Sequence, residues 1–403
     1  MSNTVLRFIA ASDLHYTWDN RASVDAFEDA LSQAYAYAQS QAYRRIDALY
    51  VAGDFVTNGT EREMRLLKRS LTACVRPETM VTLLLGSHEC ENEDEDEEKA
   101  AARLKEIFGM DADSHKVING YDFIAISSVK CEFSFFDDAK RAWLRERLAV
   151  AAARHPYRAI FVFQHPHIRE TVCGSIRWGM SDLTDILMDY PQVINFSGHS
   201  HAPVNNPRSL HQRYFTSVNT GSFWGIDLDE YDKPGGPCPH GEPFAAQFQI
   251  VEAKADGSID IKPYDARTDM FFPLSWTIDT PWKPESFRYI PELCAARASA
   301  PVFPEDAAIS LTVSGAHALA TFPQASCTEP YVKDYHVILR RTGTDLVIKQ
   351  RCVSSRYYIN PLPRTVECAF DGLMPGEYSL VVRARNFWNC TSEDKLSSTF
   401  IVP

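Results

Sequence analysis

The chain has 403 residues, 45% of them hydrophobic, and a formal net charge of −12, which is too long for one ordinary domain and apolar enough for full cores. Eight acids fall within residues 89–98, so the remainder carries only −4; no basic stripe is present, and this argues against a long nucleic acid as partner. No apolar stretch reaches the ~18 residues that span a bilayer, and Met1-Ser2-Asn3-Thr4 runs straight into an apolar segment without a signal-peptide pattern, so no membrane segment and a cytoplasmic location are expected.

Ten Cys are scattered at irregular spacing with no C-x-x-C pair. Reduced thiols are therefore expected, with a disulfide left open among Cys352, Cys368 and Cys390.

Five apolar runs, Leu6–Ala11, Ala48–Ala52, Met80–Leu85, Ala159–Phe163 and Val193–Phe196, predict buried strands. Each ends on a polar block. In chain order these are Asp13-Leu14-His15, Gly53-Asp54-Phe55-Val56-Thr57-Asn58-Gly59, Gly86-Ser87-His88-Glu89, Gln164-His165-Pro166-His167 and Gly198-His199-Ser200-His201. Helical patterns lie between them at Val24–Tyr43, Thr60–Cys74, Glu95–Phe108, Asp138–Ala153 and Ser181–Asp189. Thr60 with Glu63 three residues on forms a capping box. Strand–helix alternation argues for a sheet with helices on its faces. Ligands gather at the carboxyl ends of such strands, so the blocks are expected at one edge of one sheet. Carboxylate plus imidazole suits first-row transition metals.

After His201 the pattern turns to strands at Arg213–Ser217, Ala245–Glu252 and Ile259–Tyr264. Residues 266–300, rich in Pro and aromatics, read as a linker packed on a surface. From Pro301 short strands recur at Ile309–Val313, Tyr335–Arg340, Asp345–Gln350, Thr365–Phe370 and Tyr378–Ala384, an all-β sandwich signal.

The ordered blocks resemble the calcineurin-like metallophosphoesterase superfamily, whose pattern is D-x-H, G-D-x4-G, G-N-H-[DE], a later His and G-H-x-H. The resemblance covers about residues 5–265. It implies an α/β fold, a two-sheet α/β/β/α sandwich core at 1–265, followed by the linker at 266–300 and an all-β sandwich at 301–403. The segment Leu373-Met374-Pro375-Gly376-Glu377-Tyr378 makes that last part resemble a fibronectin type III domain.

By this resemblance Asp54 bridges two metals. Asp13, His15 and His201 complete the first site, and Ser87, His165 and His199 the second. Ser87 stands where the family has Asn. A shorter, neutral side chain there opens three outcomes: a weaker second site, a mononuclear centre or a dead one. His88 is expected not to coordinate but to stabilise or protonate the leaving group. The implied function is metal-dependent hydrolysis of a small phosphoric mono- or diester, with a metal-activated water as nucleophile and two divalent or trivalent ions, Mn, Fe or Zn, as cofactors. The alternative is a binding scaffold that kept the fold, with partners met through the C-terminal β-domain.

Several neighbours are open between two roles. His167 reaches substrate or is an exposed loop residue. Tyr16, Trp18, Arg177 and Trp178 flank a substrate or only pack and solvate loops. The acids at 89–98 open a helix or hold a further cation. His115, His155, His211, His240, His317 and His336 match no block and are expected to be structural.

Overall fold

The computed structural model describes residues 3–92, 97–129, 135–228, 245–328, 330–344, 346–393 and 396–403. The chain divides into two compact units, Met1–Pro291 and Glu292–Pro403.

In the first unit the described residues form two large sheets. One has seven strands. Its parallel centre is Thr4–Ala11, Ala48–Ala52 and Met80–Leu84, and Gln247–Lys254 and Ile259–Asp265 extend it antiparallel on the other side of Thr4–Ala11. The other has six strands, with Tyr121–Ala125, Ile160–Phe163, Val193–Ser197 and Thr216–Asn219 parallel at its centre. The period of two along each strand sorts side chains between layers. Leu6, Phe8, Ala10 and Tyr50 face the second sheet and meet Phe123, Phe161, Phe163 and Phe196 of that sheet. Ile9 and Ala11 face the helices Ala22–Ser40, Glu61–Cys74 and Glu97–Phe108. On the far side Ile124, Val162 and Val193 meet Leu144 and Leu148 of the helix Asp138–Arg154. The result is the expected α/β/β/α sandwich. Its inter-sheet core is aromatic: Phe8 lies 4.8 Å from Phe161 and 5.1 Å from Phe123, and Tyr50 stacks on Phe163 at 4.2 Å.

Three sequence expectations are corrected, and one hairpin is added to them. The blocks do not sit on one sheet: the first three follow strands of the seven-stranded sheet and the last two follow strands of the six-stranded one. Two facing parallel sheets with carboxyl ends on the same side deliver the blocks together, and a strand pattern alone does not say which sheet it joins. The hairpin Ser114–Ile118 and Tyr121–Ala125 was not anticipated, although Asn119 and Gly120 both take the positive φ that a two-residue hairpin turn needs. The strand expected at Arg213–Ser217 lies at Thr216–Asn219. Cys90 is disulfide-bonded rather than reduced; irregular spacing hides a pairing that the fold makes. None of Cys352, Cys368 and Cys390 is in a disulfide.

Residues 266–300 include the strand Trp276–Ile278, which pairs with Ile259–Asp265 and buries Trp276 and Ile278 in the inter-sheet core. The expected capping box is present, with Thr60 Oγ1 accepting from the Glu63 N–H and the Glu63 carboxylate accepting from the Thr60 N–H. The third helix is described from Glu97 onward, and residues 93–96 of the acidic run lie outside the described residues.

One polar cluster is built into the seven-stranded sheet. Arg7, 1% exposed, places Nε 2.6 Å from Glu252 Oε1, and Lys262 Nζ lies 2.7 Å from Glu252 Oε2. The Tyr37 hydroxyl donates to Glu252 Oε1 at 3.0 Å. Three elements are thereby tied through one carboxylate.

The second unit is all-β. Among the described residues three strands (Ser310–Ser314, His317–Pro323, Thr365–Phe370) and four strands (Val347–Ser354, Asp334–Arg341, Gly376–Arg385, Leu396–Val402) form two sheets. The strand expected at Asp345–Gln350 lies at Val347–Ser354, and residue 345 is outside the described residues. The core holds Phe322, Tyr335, Val337, Val366, Leu380 and Val382. Tyr378 Oη donates back to the Met374 carbonyl at 2.7 Å.

Candidate metal centre

The five blocks meet, and they do so through unusual backbone. Asp13 (φ 52°), His15 (46°), Asp54 (50°), His199 (73°) and His201 (51°) all take left-handed conformations. For residues with a Cβ this costs about 1–3 kcal/mol each and persists only where surroundings enforce it. Here the neighbouring loops enforce it. Asp13 N–H donates to the Gly53 carbonyl and His15 N–H to the Asp54 carbonyl, both at 3.0 Å. Gly198 N–H donates to the His165 carbonyl, also at 3.0 Å. A Cβ on Gly53 would come within 2.5 Å of His165 Nδ1, and one on Gly86 would strike Asp54 Oδ1, so both positions require Gly.

One donor group comprises Asp13, His15 and His201. His15 Nε2 and His201 Nε2 lie 3.1 Å apart, and His201 Nε2 is 3.3 Å from Asp13 Oδ1. Asp13 Oδ2 turns away and accepts from Ser12 Oγ at 2.5 Å and from the His199 N–H at 3.0 Å. The Thr220 hydroxyl stands behind Ser12 at 2.7 Å. One carboxylate oxygen is thus held by the protein and the other faces the imidazoles, the second layer of support that metal ligands need.

A second group comprises Asp54, His165 and His199. His165 Nε2 lies 3.0 Å from both Asp54 Oδ2 and His199 Nδ1. His165 Nδ1 is 2.8 Å from the Ala52 carbonyl, which keeps a proton on Nδ1 and turns Nε2 toward the donor group. The donor sets fit metal ions. Two ligands held ~2.1 Å from one ion at a tetrahedral angle stand ~3.4 Å apart, close to the spacings seen. Asp54 also groups with His15 and His88, their donor atoms lying within 4.8 Å of one another.

Ser87 Oγ lies 3.5 Å from both Asp54 oxygens. His88 donates its backbone N–H to Asp54 Oδ1 at 2.9 Å, and its ring Nδ1 is 2.7 Å from the Thr57 carbonyl and 3.1 Å from Glu91 Oε2. Its ring is 4.6 Å from that of His15 and remains 29% exposed.

Glu89, named in its block without a role, proves to be a structural keystone. Its buried carboxylate accepts N–H bonds from Asp54 (3.0 Å), Val56 (3.1 Å) and Gly86 (2.6 Å). Its place as the last residue of the third block was the available signal.

Electrostatics follow burial and pairing. Burial would push Asp13 up, but His201 and then His165 bring it down to about 2. Asp54 is likewise held well below the usual carboxylate range by His165, against burial. Burial lowers His15 to about 3 and His199 to about 4, with His201 and His165 adding to the respective effects. Both rings are therefore neutral donors near pH 7. Burial lowers His165, but Asp54 and Asp13 outweigh it and raise it to about 10. Burial, then the Asp54 charge, raises Glu89 to about 8.

Other candidates separate. His167 is neither exposed nor at the centre. It is buried, with Ser197 Oγ at 2.8 Å on one nitrogen and Ser200 Oγ at 2.7 Å on the other. Tyr16 is buried, and Trp18 is exposed beneath the Arg62 guanidinium at 4.2 Å. Trp178 reaches the centre, 5.0 Å from His199. Trp224, which no sequence pattern marked, lies 5.8 Å from His15.

The N-terminal unit belongs to the calcineurin-like phosphoesterase family, whose model matches residues 6–203. Among similar solved structures, purple acid phosphatase PPD1 from yellow lupin (Lupinus luteus) is 13% identical, with a TM-score of 0.45 over 68% of this chain and 53% of its own. This chain thus spans about half the length of that phosphatase. A phosphatase from Mycoplasma pneumoniae is 14% identical, with a TM-score of 0.33 over 72% of this chain and 97% of its own. No curated protein matches the chain.

Proposed function

We propose that the N-terminal unit hydrolyses a small phosphoric mono- or diester at a dinuclear metal centre. The observation that carries this reading is Asp54, whose carboxylate lies in reach of donors from both halves. Asp13, His15 and His201 would hold one ion, and His165, His199 and Ser87 the other, with Asp54 shared. Mn, Fe or Zn suit these donors, and a bound pair supplies Lewis acidity to phosphoryl oxygens and activates the attacking water.

The chain's own residues do the rest. Ser12, Glu89 and the Ala52 carbonyl fix Asp13, Asp54 and His165 before substrate arrives, so little reorganisation is needed at reaction. His88 is partly exposed, and its Nδ1 is engaged by the Thr57 carbonyl. Its Nε2 is thereby available to hold or give the proton that the leaving oxygen requires, a role suited to imidazole near neutral pH.

The scaffold reading draws on one observation, the 3.5 Å separation of the short Ser87 side chain from Asp54. The all-β unit, with its three- and four-stranded sheets and the Tyr378–Met374 bond, is read as fibronectin type III-like and would then be the partner-binding surface. Elemental analysis, with a screen of phosphomonoesters, diesters and nucleotides in added Mn²⁺, separates the two. About two metals per chain with turnover supports the enzyme. No metal and no turnover supports the scaffold.

A further inference from the structure

An indole stands against each half of the centre. Trp178 meets His199 edge to face at 5.0 Å, and Trp224 lies 5.8 Å from His15. Both are partly exposed, so each keeps apolar surface beside a polar, charged site.

Neither indole is loosely held. Trp178 closes the turn Ser175–Trp178, with its N–H on the Gly174 carbonyl at 3.0 Å. The next residue, Gly179, pairs with His167. Gly174 sits so close to the fifth block that a Cβ there would come within 2.5 Å of Ser200 Cβ. Trp224 belongs to a segment fastened at both ends to expected ligands. Phe223 N–H donates to the Asp13 carbonyl and Asp227 N–H to the His201 carbonyl, each at 3.0 Å. Trp224 N–H itself donates to Ser222 Oγ at 3.0 Å. The Arg177 guanidinium lies 4.7 Å from the Trp178 ring centroid, which places a cation on the same flank.

A phosphoester has two parts. Its phosphoryl group belongs at the carboxylate–imidazole donors, and its esterified alcohol must lie against whatever flanks them. Ligand sites combine apolar and aromatic walls with a few polar groups that fix orientation. Rigid indoles favour flat rings, in offset or edge-to-face contact, over flexible alkyl chains.

We propose that Trp178 and Trp224 wall the subsite for the esterified group, and that this group is a planar aromatic, aryl or nucleoside, rather than an aliphatic alcohol. The proposal rests on the phosphoesterase reading of the same centre.

Binding of non-hydrolysable phosphonates to the Mn²⁺-loaded full chain tests it without requiring turnover. Calorimetry gives Kd for phenylphosphonate, methylphosphonate and a nucleoside 5′-phosphonate, with metal content measured on every protein. The wild type should bind the aromatic phosphonates about tenfold or more tighter than methylphosphonate. Trp178→Leu and Trp224→Leu should each cut that preference by roughly 3- to 10-fold, the scale of one aromatic contact. Trp178→Phe and Trp224→Phe should keep most of it, and they decide the matter if a Leu variant also loses metal. Whichever aromatic phosphonate binds tighter identifies the source of the ring, and either order supports the subsite. A wild-type ratio near one, or a ratio that both Leu variants leave intact, overturns the subsite alone. Failure of every phosphonate to bind overturns the phosphoesterase reading and the subsite with it.

Discussion

The Glu89 carboxylate accepts the backbone N–H of Asp54 at 3.0 Å and so grips, through its main chain, a carboxylate that groups with His165 and His199 and also with His15 and His88. With Val56 and Gly86 on the same carboxylate, Glu89 joins two blocks and offsets the left-handed backbone of Asp54. Glu89→Gln replaces one accepting oxygen with an NH₂ group that cannot accept. We expect a loss of about 1–3 kcal/mol in stability, the cost of a buried donor left unpaired. Metal affinity should fall roughly 10- to 100-fold, as for other outer-layer partners of metal ligands. Urea denaturation and metal titration read the two effects. Unchanged metal affinity would mean that the Asp54 loop holds its own shape.

His88→Ala should cut turnover by roughly 10²–10⁴-fold, the range for losing a general acid or base, with metal content nearly unchanged. The physical reason is that His88 contacts Asp54 through its backbone N–H, which Ala retains. Elemental analysis beside steady-state kinetics checks this. A variant stripped of metal would make His88 a ligand instead.

Ser87→Asn brings a longer side chain with a carbonyl oxygen to a position where the hydroxyl stops 3.5 Å from Asp54. It should raise affinity for the second ion and lessen the dependence of activity on added Mn²⁺. Metal titration of activity for both proteins reads this. Equal affinities would show that Ser87 already serves as well as Asn.

Away from the centre, the Arg7–Glu252–Lys262 cluster makes a pH prediction. Burial alone would raise Glu252, but Lys262 and then Arg7 hold it below the ordinary glutamate value of 4.5. As pH falls, the unfolded chain takes up this proton first. The cluster's contribution is therefore complete above about pH 4.5 and is lost as pH drops through the lower folded-state value. Glu252→Gln leaves the buried Arg7 guanidinium without its carboxylate, so it should cost about 3–5 kcal/mol near neutral pH and flatten stability against pH in the acid limb. Denaturant titrations from pH 7 to pH 3 compare the two proteins. Parallel curves would remove Glu252 from the acid response.

Signals carried by a few neighbouring residues were legible in the chain. Apolar runs marked the strands that precede all five blocks, and Thr60 with Glu63 marked a capped helix start, because burial period and capping are properties of local sequence. Asn119-Gly120, both residues at positive φ, is an equally local hairpin signal and joins two strands of the second sheet. The strands His317–Pro323 and Leu396–Val402 complete the two sheets of the second unit beyond the strands the sequence pattern names.

By itself the sequence determined which side chains are available to the centre, since donor chemistry is fixed by residue type and the blocks lie at strand ends. Only the tertiary structure decided how they meet. Two sheets rather than one bring Asp13 and Asp54 against His165, His199 and His201, because sheet membership depends on pairing between segments far apart in the chain. The left-handed backbone of Asp13, His15, Asp54, His199 and His201 is imposed by loops that hydrogen-bond across blocks, and no single block encodes it. The same holds for the support around them. Ser12 behind Asp13, Glu89 beneath Asp54, Trp178 beside His199 and Trp224 beside His15 gain their roles from distance in space, which a linear pattern does not contain.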